Sequence, residues 1–175
     1  MLEGRLVRLE PLEVADVNDE YVNWFNDPVT FRYLGTKFGQ TRTSVRRYVE
    51  SITPPNLACK IVWREEGRHV GNISLYSFDP VHRVMELGIV IGDARVRGHG
   101  VGKEACSLLI QYAFDHLNVR RITAGTVVDN VAMKKAFLAL GFKVEGTLRA
   151  QYYLEGRYHD IDRFGLLKDE FLLCH

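Results

Sequence analysis

Three glycines at alternate positions follow the most apolar segment of this chain and precede a helical pattern. The apolar segment, residues 84–91, is typical of a buried strand, and the glycines are Gly98, Gly100 and Gly102. Apolar residues then recur on one helix face, at Val101, Ala105, Leu108, Leu109 and Tyr112. The start of a helix offers unpaired backbone N–H groups and the positive end of the helix dipole. Because glycine has no Cβ and accepts a positive φ, this segment predicts a strand–loop–helix unit that binds an anion.

Two known phosphate-binding motifs do not fit this loop. A P-loop has the pattern GxxxxGK followed by Ser or Thr; counted back from Gly102, its first glycine falls on Arg97, and Glu104 replaces the hydroxyl residue. A dinucleotide fingerprint, GxGxxG, would place its third glycine on Lys103. A glycine-rich turn without any ligand remains an alternative. The spacing that fits is R-x-x-G-x-G, in which Arg97 and Lys103 add positive charge beside the glycines.

The rest of the chain predicts a mixed α/β (α+β) fold in a single domain of residues 1–175. The first ten residues alternate like a strand, and two short helices, after Asp16 and after Thr41 or Thr43, form an amino-terminal flap. Hairpin spacing predicts antiparallel pairing of three runs, 58–64, 70–78 and 84–91. The later patterns predict helices at 101–112 and 132–140 and strands at 121–127, 143–153 and 159–167. These patterns amount to about seven strands and about four helices.

The composition favours an ordinary globular protein and excludes several classes of function. The chain has 175 residues, of which 46% are hydrophobic and 26% charged, and its formal net charge is +1, so we expect no bulk attraction to nucleic acid. It lacks the apolar runs that a signal peptide or a membrane span requires, so we expect no membrane partner. Its three cysteines form no CxxC pair, which favours a reducing, cytoplasmic compartment, and its six histidines show no metal-ligand spacing.

Motifs along nearly the whole chain resemble the GNAT superfamily of N-acetyltransferases. The glycine loop is followed by the strand 121–127 and by an asparagine, Asn130, that opens a helix ending in Gly141-Phe142. The opening (residues 24–28), the segment 79–83 and the tail (residues 148–170) resemble the branch that acetylates the N-termini of ribosomal proteins. The resemblance implies a mostly antiparallel central sheet flanked by helices and acetyl-CoA as co-substrate, with no metal.

The resemblance also implies which residues hold the coenzyme. A strand that splays from its neighbour would pair its free backbone groups with the pantetheine arm, and this maps onto Ile89, Val90 and Ile91. The pyrophosphate would lie on the glycine loop, formed by Arg97, Gly98, His99, Gly100, Val101, Gly102 and Lys103. His99 is expected to contribute its backbone N–H only. Asn130 is expected to contact the cofactor, although as a helix cap, either itself or beside Asp129, it has a structural role as well.

The catalytic residues are less completely implied. Glu86 lies at the position of the family's usual base, although it is also an ordinary charged residue of a half-exposed strand. The tyrosine that many relatives place seven residues after the motif asparagine, where it protonates the leaving thiolate, is Phe137 here. Tyr152 is a candidate replacement; Tyr153, Tyr158, His159 and water are others, and tyrosines are also common in strands for structural reasons.

The acceptor is expected to be a primary amine that receives the acetyl group directly. A protein α-amine, a polyamine and an amino-sugar nucleotide all remain candidates. At pH 7 an α-amine of pKa ~8 is neutralised for ~1.4 kcal/mol and a lysine-like amine for ~4.6 kcal/mol, so a weak base suffices for the first. Trp24, Phe31 and Tyr33 are expected to line the acceptor pocket or simply to pack on the sheet. The alternatives are a non-catalytic acyl-CoA sensor and a nucleotide-phosphate binder; the oligomeric state stays open, with a homodimer as one option.

Overall fold

The computed structural model describes residues 1–33, 39–154 and 156–172, which form one mixed sheet with helices on both faces. The elements in chain order are β1 (Leu2–Glu3), β2 (Val7–Pro11), α1 (Asp19–Trp24), α2 (Pro28–Phe31), α3 (Arg42–Glu50), β3 (Leu57–Trp63), β4 (Arg68–Asp79), β5 (Val84–Ile91), α4 (Val101–His116), β6 (Arg121–Val127), α5 (Val131–Ala139), β7 (Lys143–Leu154), β8 (Arg157–Leu167) and α6 (Lys168–Leu172). Single 3₁₀ turns lie at Val14–Asp16 and Ala94–Val96.

The fold class is confirmed, but the described residues contain more elements than the sequence predicted. The first ten residues form a hairpin rather than one strand, because the Glu104 carboxylate accepts the successive backbone amides of Arg5, Leu6 and Val7 at 3.0, 2.7 and 2.8 Å. Asp27 caps a separate short helix, α2, by accepting the amide of Thr30 at 2.9 Å. A further short helix, α6, follows β8.

The sheet has eight strands in the order β1-β2-β3-β4-β5-β6-β8-β7. Every neighbouring pair is antiparallel except β5 and β6, which run parallel. The antiparallel pairing predicted for β3, β4 and β5 is confirmed. The parallel pair is joined through α4, as a parallel connection requires a crossover.

The two faces of the sheet carry different layers. Helices α4 and α5 cover one face, where the main apolar core includes Leu75, Leu87, Leu109, Ile122 and Phe164. The opposite face is covered only in part, by α1 and α3, which enclose a second, smaller cluster around Tyr21 and Trp24. Side chains alternate between the faces along each strand, so polar residues of β4, β5, β6 and β8 line the second face, which we call the open face.

Candidate active site

The strands β5 and β6 diverge before either of them ends. They pair from Val84 with Arg121 to Leu87 with Ala124, but β5 continues to Ile91 and β6 to Val127. Beyond the divergence β5 stays paired with β4, and β6 stays paired with β8. The result is a V-shaped gap in the middle of the sheet, in which the backbone of residues 88–91 has no partner strand on one side.

The glycine loop lies at the wide end of this gap. Gly98 and Gly100 have φ values of +80° and +84°, which favour glycine, and Gly100 is the N-cap of α4. The first amide bonded within the helix is that of Glu104, which donates to the Gly100 carbonyl at 3.0 Å. Among the described residues no acceptor takes the amides of residues 101–103, so they are free to receive an anion.

The side chains beside the loop form an open cleft of about 350 Å³. Its lining includes Arg5, His99, Gly100 and Lys103. The His99 ring is exposed, and its Nδ1 atom lies 2.9 Å from the Arg97 carbonyl oxygen. The Glu104 carboxylate also lines the cleft, but it is engaged by the amides of Arg5, Leu6 and Val7. Two cationic side chains, Arg5 and Lys103, thus border a helix start whose first amides have no acceptor in the described part of the chain, an arrangement that suits a phosphate ligand.

The side chain of Arg97 is used differently from the rest of the loop. Its guanidinium donates to the Ile91 carbonyl from Nε at 3.1 Å and from Nη2 at 3.0 Å, and to the Thr30 hydroxyl at 2.6 Å. These bonds tie α2 to the end of β5. The side chain is thus held by the protein itself and the Ile91 carbonyl is already occupied, so a cofactor role of Arg97 through its side chain stays a prediction.

Asn130 caps α5 itself. Its Oδ1 atom accepts the amide of Met133 at 3.2 Å, and its Nδ2 group makes no hydrogen bond within the part of the chain that the structure describes. The cap therefore uses one half of the amide and leaves the donor half free at the end of β6. Gly141, with a φ of +93°, follows the helix as the sequence predicted.

Glu86 lies one residue before the point of divergence, on the open face. Its Oε1 atom accepts a hydrogen bond from Nη1 of Arg163 on β8 at 2.7 Å. Tyr76 on β4 lies opposite Glu86 in the register. Burial, and secondly the nearby Glu86 charge, raise the pKa of Tyr76 to about 12. The structure therefore places a donor, Arg163, and a tyrosine ring, Tyr76, beside the predicted base, and no sequence pattern pointed to either.

The predicted replacements for Phe137 differ in their surroundings. Phe137 itself is buried against Phe142 and Phe164 in the core. The Tyr152 hydroxyl is buried and has no hydrogen-bond partner among the described residues, and burial raises its pKa. Tyr152 pairs with His159, which lies on the open face by alternation from Arg163.

The other tail candidates are less favourably placed for proton transfer. Tyr153 and Tyr158 contact each other, with ring centroids 5.1 Å apart, and remain largely exposed. His159 is buried beside a small cavity, and its Nε2 atom accepts from Nε of Arg157 at 3.3 Å. Tyr152 alone among these four combines a buried hydroxyl with a free donor.

The aromatic residues predicted for the acceptor pocket do not share one environment. Trp24 is buried in the second cluster, where its ring lies against Gly92 and 5.0 Å from the ring of His69. This arrangement supports packing, the alternative to a pocket role. Tyr33 is partly exposed beside Arg32. The side chain of Phe31 lies outside what the structure describes.

The cysteines, the possible metal ligands and the helices are the features that would point to other functional classes. Burial raises the pKa of Cys59 to about 11 and that of Cys106 to about 12, so neither described thiol is an activated nucleophile. Within residues 1–33, 39–154 and 156–172, no three His, Cys, Asp or Glu side chains group as metal ligands do. No helix in these ranges has the length and apolar character of a membrane span.

The residues that sequence reasoning missed are Tyr76 and Arg163. Both lie on predicted strands. Because side chains alternate along a strand, Tyr76 and Arg163 lie on the same face of the sheet as Glu86. The missing information was the order of the strands, because Arg163 meets Glu86 only when β8 lies next to β6 and β6 next to β5.

Comparisons with known proteins agree on one family. Residues 6–143 match the model of the acetyltransferase (GNAT) domain. A Bacillus subtilis (strain 168) protein, YdaF, which is provisionally named a ribosomal N-acetyltransferase, is 30% identical over 148 residues, covering 77% of this chain and 76% of its own. Spermidine N(1)-acetyltransferase of Escherichia coli (strain K12) is 25% identical over 176 residues, covering 100% and 93%.

A solved structure has the same fold. The spermidine N-acetyltransferase of Vibrio cholerae, crystallised with CoA and spermine, superposes with a TM-score of 0.87 at 22% identity, covering 95% of this chain and 98% of its own. Together with the divergent strands and the glycine loop, these matches show that the chain belongs to the GNAT family of acetyltransferases.

Proposed function

We propose that this protein transfers an acetyl group from acetyl-CoA directly to a primary amine. The observation that carries the proposal is the V-shaped gap, which has unpaired amides at its wide end and a carboxylate, Glu86, beside its apex. A coenzyme has a doubly phosphorylated end and a thioester end, and the gap offers a suitable group for each.

The coenzyme would bind mainly through backbone groups. The amides of the glycine loop would receive the pyrophosphate, helped by Lys103. The pantetheine arm would lie along Ile89, Val90 and Ile91, whose side facing β6 has no strand partner. The free Nδ2 donor of Asn130 faces no described acceptor, so it is available to a carbonyl of the arm.

The reaction needs a base for the amine and an acid for the thiolate. The amine nitrogen attacks the thioester carbonyl and loses a proton to Glu86; collapse of the tetrahedral intermediate breaks the C–S bond. An N–H of the unpaired β5 backbone would stabilise the oxyanion, a contribution of ~3–4 kcal/mol for one donor. Tyr152, whose hydroxyl is buried and unpartnered, would protonate the departing thiolate.

The charges around the open face favour an α-amine over a polyamine. The segment 28–49, which covers α2 and all of α3 except its last residue, Glu50, contains no Asp or Glu but five cationic residues: Arg32, Lys37, Arg42, Arg46 and Arg47. Arg42 is paired with Asp19, which belongs to α1. The described part of this segment borders the gap at α2, because Thr30 bonds to Arg97, which in turn bonds to the end of β5. A polyamine would meet repulsion here. Glu86 is ion-paired, which suits an amine that needs only a weak base.

The test is thiol release from acetyl-CoA with a panel of amines. We expect turnover with peptides that carry a free α-amine and much slower turnover with spermidine and with amino-sugar nucleotides. Faster turnover with spermidine would contradict the acceptor class but keep the enzyme. Binding of acetyl-CoA by calorimetry without turnover on any amine would identify a sensor. Binding of ATP or NAD, with none of coenzyme A, would identify a nucleotide-phosphate binder.

A further inference from the structure

We infer that Arg163 is a positioning residue that holds the Glu86 carboxylate at the apex of the gap. The inference rests on the proposed function, in which Glu86 receives the proton of the amine. Nη1 of Arg163 and Oε1 of Glu86 are 2.7 Å apart, and their side chains are 33% and 25% exposed. The pair is therefore partly shielded from water, where an ion pair holds its geometry better than on an open surface.

Arg163 reaches Glu86 only because residue 125, which lies between them on β6, is a glycine. Arg163 belongs to β8 and Glu86 to β5, so the guanidinium must cross β6, the strand between them. It crosses over Gly125, where a Cβ would lie only 2.9 Å from Nη1 and 3.5 Å from Cδ. Gly125 is not among the residues with a positive φ, so the backbone does not require glycine there and the requirement is one of space.

On β5, the other strand of the gap, a glycine likewise leaves room for a side chain from the next strand. Gly88 and Gly125 are each the first residue beyond the last paired residues, Leu87 and Ala124. A Cβ on Gly88 would lie 3.0 Å from Cε1 of Tyr76. Tyr76 thus lies over one strand and Arg163 over the other. The Glu86 carboxylate lies between them and accepts a hydrogen bond from Arg163, and the two glycines at the divergence leave room for both side chains.

The hydrogen bond from Arg163 restricts the orientation of the Glu86 carboxylate. A glutamate has three side-chain torsions, and a free one distributes over several rotamers. A base acts efficiently only when it is within hydrogen-bond reach of the proton it removes. Removing Arg163 therefore lowers turnover while leaving acetyl-CoA binding intact, since within the described residues its guanidinium makes no hydrogen bond or ion pair with the glycine loop or α4.

The experiment combines Arg163→Ala, Glu86→Gln and the double variant, assayed for thiol release on the best acceptor of the wild-type enzyme. We expect Arg163→Ala to lower kcat about tenfold to hundredfold and to leave the KM for acetyl-CoA unchanged. In the Glu86→Gln background, Arg163→Ala should have no further effect. Guanidinium at millimolar concentration should restore part of the activity of Arg163→Ala and none of that of Glu86→Gln.

Arg121→Ala is the matched control. It removes an arginine–glutamate ion pair, Arg121 with Glu145, from the same face of the sheet but away from the divergence. The two side chains of this pair are 25% and 37% exposed, close to the values for Arg163 and Glu86, so the two pairs differ mainly in position. We expect the kcat of Arg121→Ala to stay within about twofold of the wild-type value, because this pair does not hold the proposed base.

A second variant keeps the inference testable when Arg163→Ala folds poorly. Gly125→Ala leaves the arginine in place but forces its guanidinium away from the path to Glu86. It should lower kcat in the wild-type background and have no effect when Arg163 is already alanine.

Three results would overturn the inference. The first is a normal kcat for Arg163→Ala, and the second is a set of losses that multiply in the double variant. The third is a normal kcat for Glu86→Gln, which would remove Glu86 as the base while leaving the enzyme an acetyltransferase. Failure of the proposed function itself is a different result, namely no thiol release by the wild-type protein on any amine.

Discussion

The two glycines at the start of α4 should respond to alanine in opposite ways, although both belong to the loop that we propose binds the pyrophosphate. Gly100 has a φ of +84°, where a residue with a Cβ is strained, so Gly100→Ala should lower the free energy of unfolding by about 1–2 kcal/mol. Gly102 has no such strain. A Cβ there would lie 3.5 Å from Cγ1 of Ile91 and 3.7 Å from Cδ1 of Ile89, which is ordinary van der Waals contact.

Gly102→Ala should therefore stabilise the free protein. Residue 102 lies within α4, where replacing glycine with alanine gains up to about 1 kcal/mol. The two variants should differ by roughly 2 kcal/mol in unfolding free energy, or about 4–8 °C in Tm for a chain of this length. Both should bind acetyl-CoA more weakly than the wild-type protein, because each adds a Cβ beside the amides of the loop.

The measurements are urea unfolding without ligand and calorimetric titration with acetyl-CoA. Gly67→Ala is the control for strain alone. Gly67 has a φ of +63° in a turn with open space around its Cβ position, so it should lose stability as Gly100→Ala does and bind the coenzyme normally. A Gly102→Ala protein that is less stable than wild type would refute the packing argument, and one that binds acetyl-CoA normally would refute the proposed phosphate site.

The remaining predictions concern packing, proton transfer and pH. Gly92→Ala should cost at least about 3 kcal/mol by urea unfolding, because its Cβ would overlap the Trp24 ring at 1.9 Å; a smaller loss would mean that the flap shifts easily. Tyr152→Phe should keep its stability within about 0.5 kcal/mol, since the hydroxyl has no partner, but lose about 10²-fold in kcat; unchanged kcat would leave water as the acid. Hydrogen bonds, first from Lys134, lower the pKa of Asp162, so its stabilisation is complete above the unfolded pKa of ~3.9 and is lost as the pH falls below it. Asp162→Asn should flatten the acid side of the stability–pH curve, and an unchanged slope would contradict this assignment.

Local patterns predicted the elements that their own residues stabilise. The helix after the glycine loop follows from apolar spacing and from glycines that accept positive φ. The cap of α5 follows from an asparagine before a helical run, and the three antiparallel strands follow from short turns between apolar segments. In each case the interactions join residues only a few positions apart, so the pattern contains the physical cause.

Expectations failed where a side chain had a distant partner. The N-terminal strand became a hairpin because Glu104, about a hundred residues away, accepts its amides. The bonds of the Arg97 guanidinium to Thr30 and to the end of β5 were likewise not expected from the sequence, and the role of Arg97 at the cofactor stays a prediction. Neither contact leaves a periodic signal in the sequence.

The sequence alone determined the family, the glycine-rich start of α4 and the place of Glu86 on a strand, because these depend on short motifs and on backbone conformation. Only the tertiary structure decided where β5 leaves β6, that Trp24 is buried, and that Arg163 reaches Glu86 across Gly125. Glu86 and Arg163 are 77 positions apart, and the intervening strand order determines whether they meet. Such contacts follow from how strands assemble across the sheet, which the pattern within any one strand does not contain.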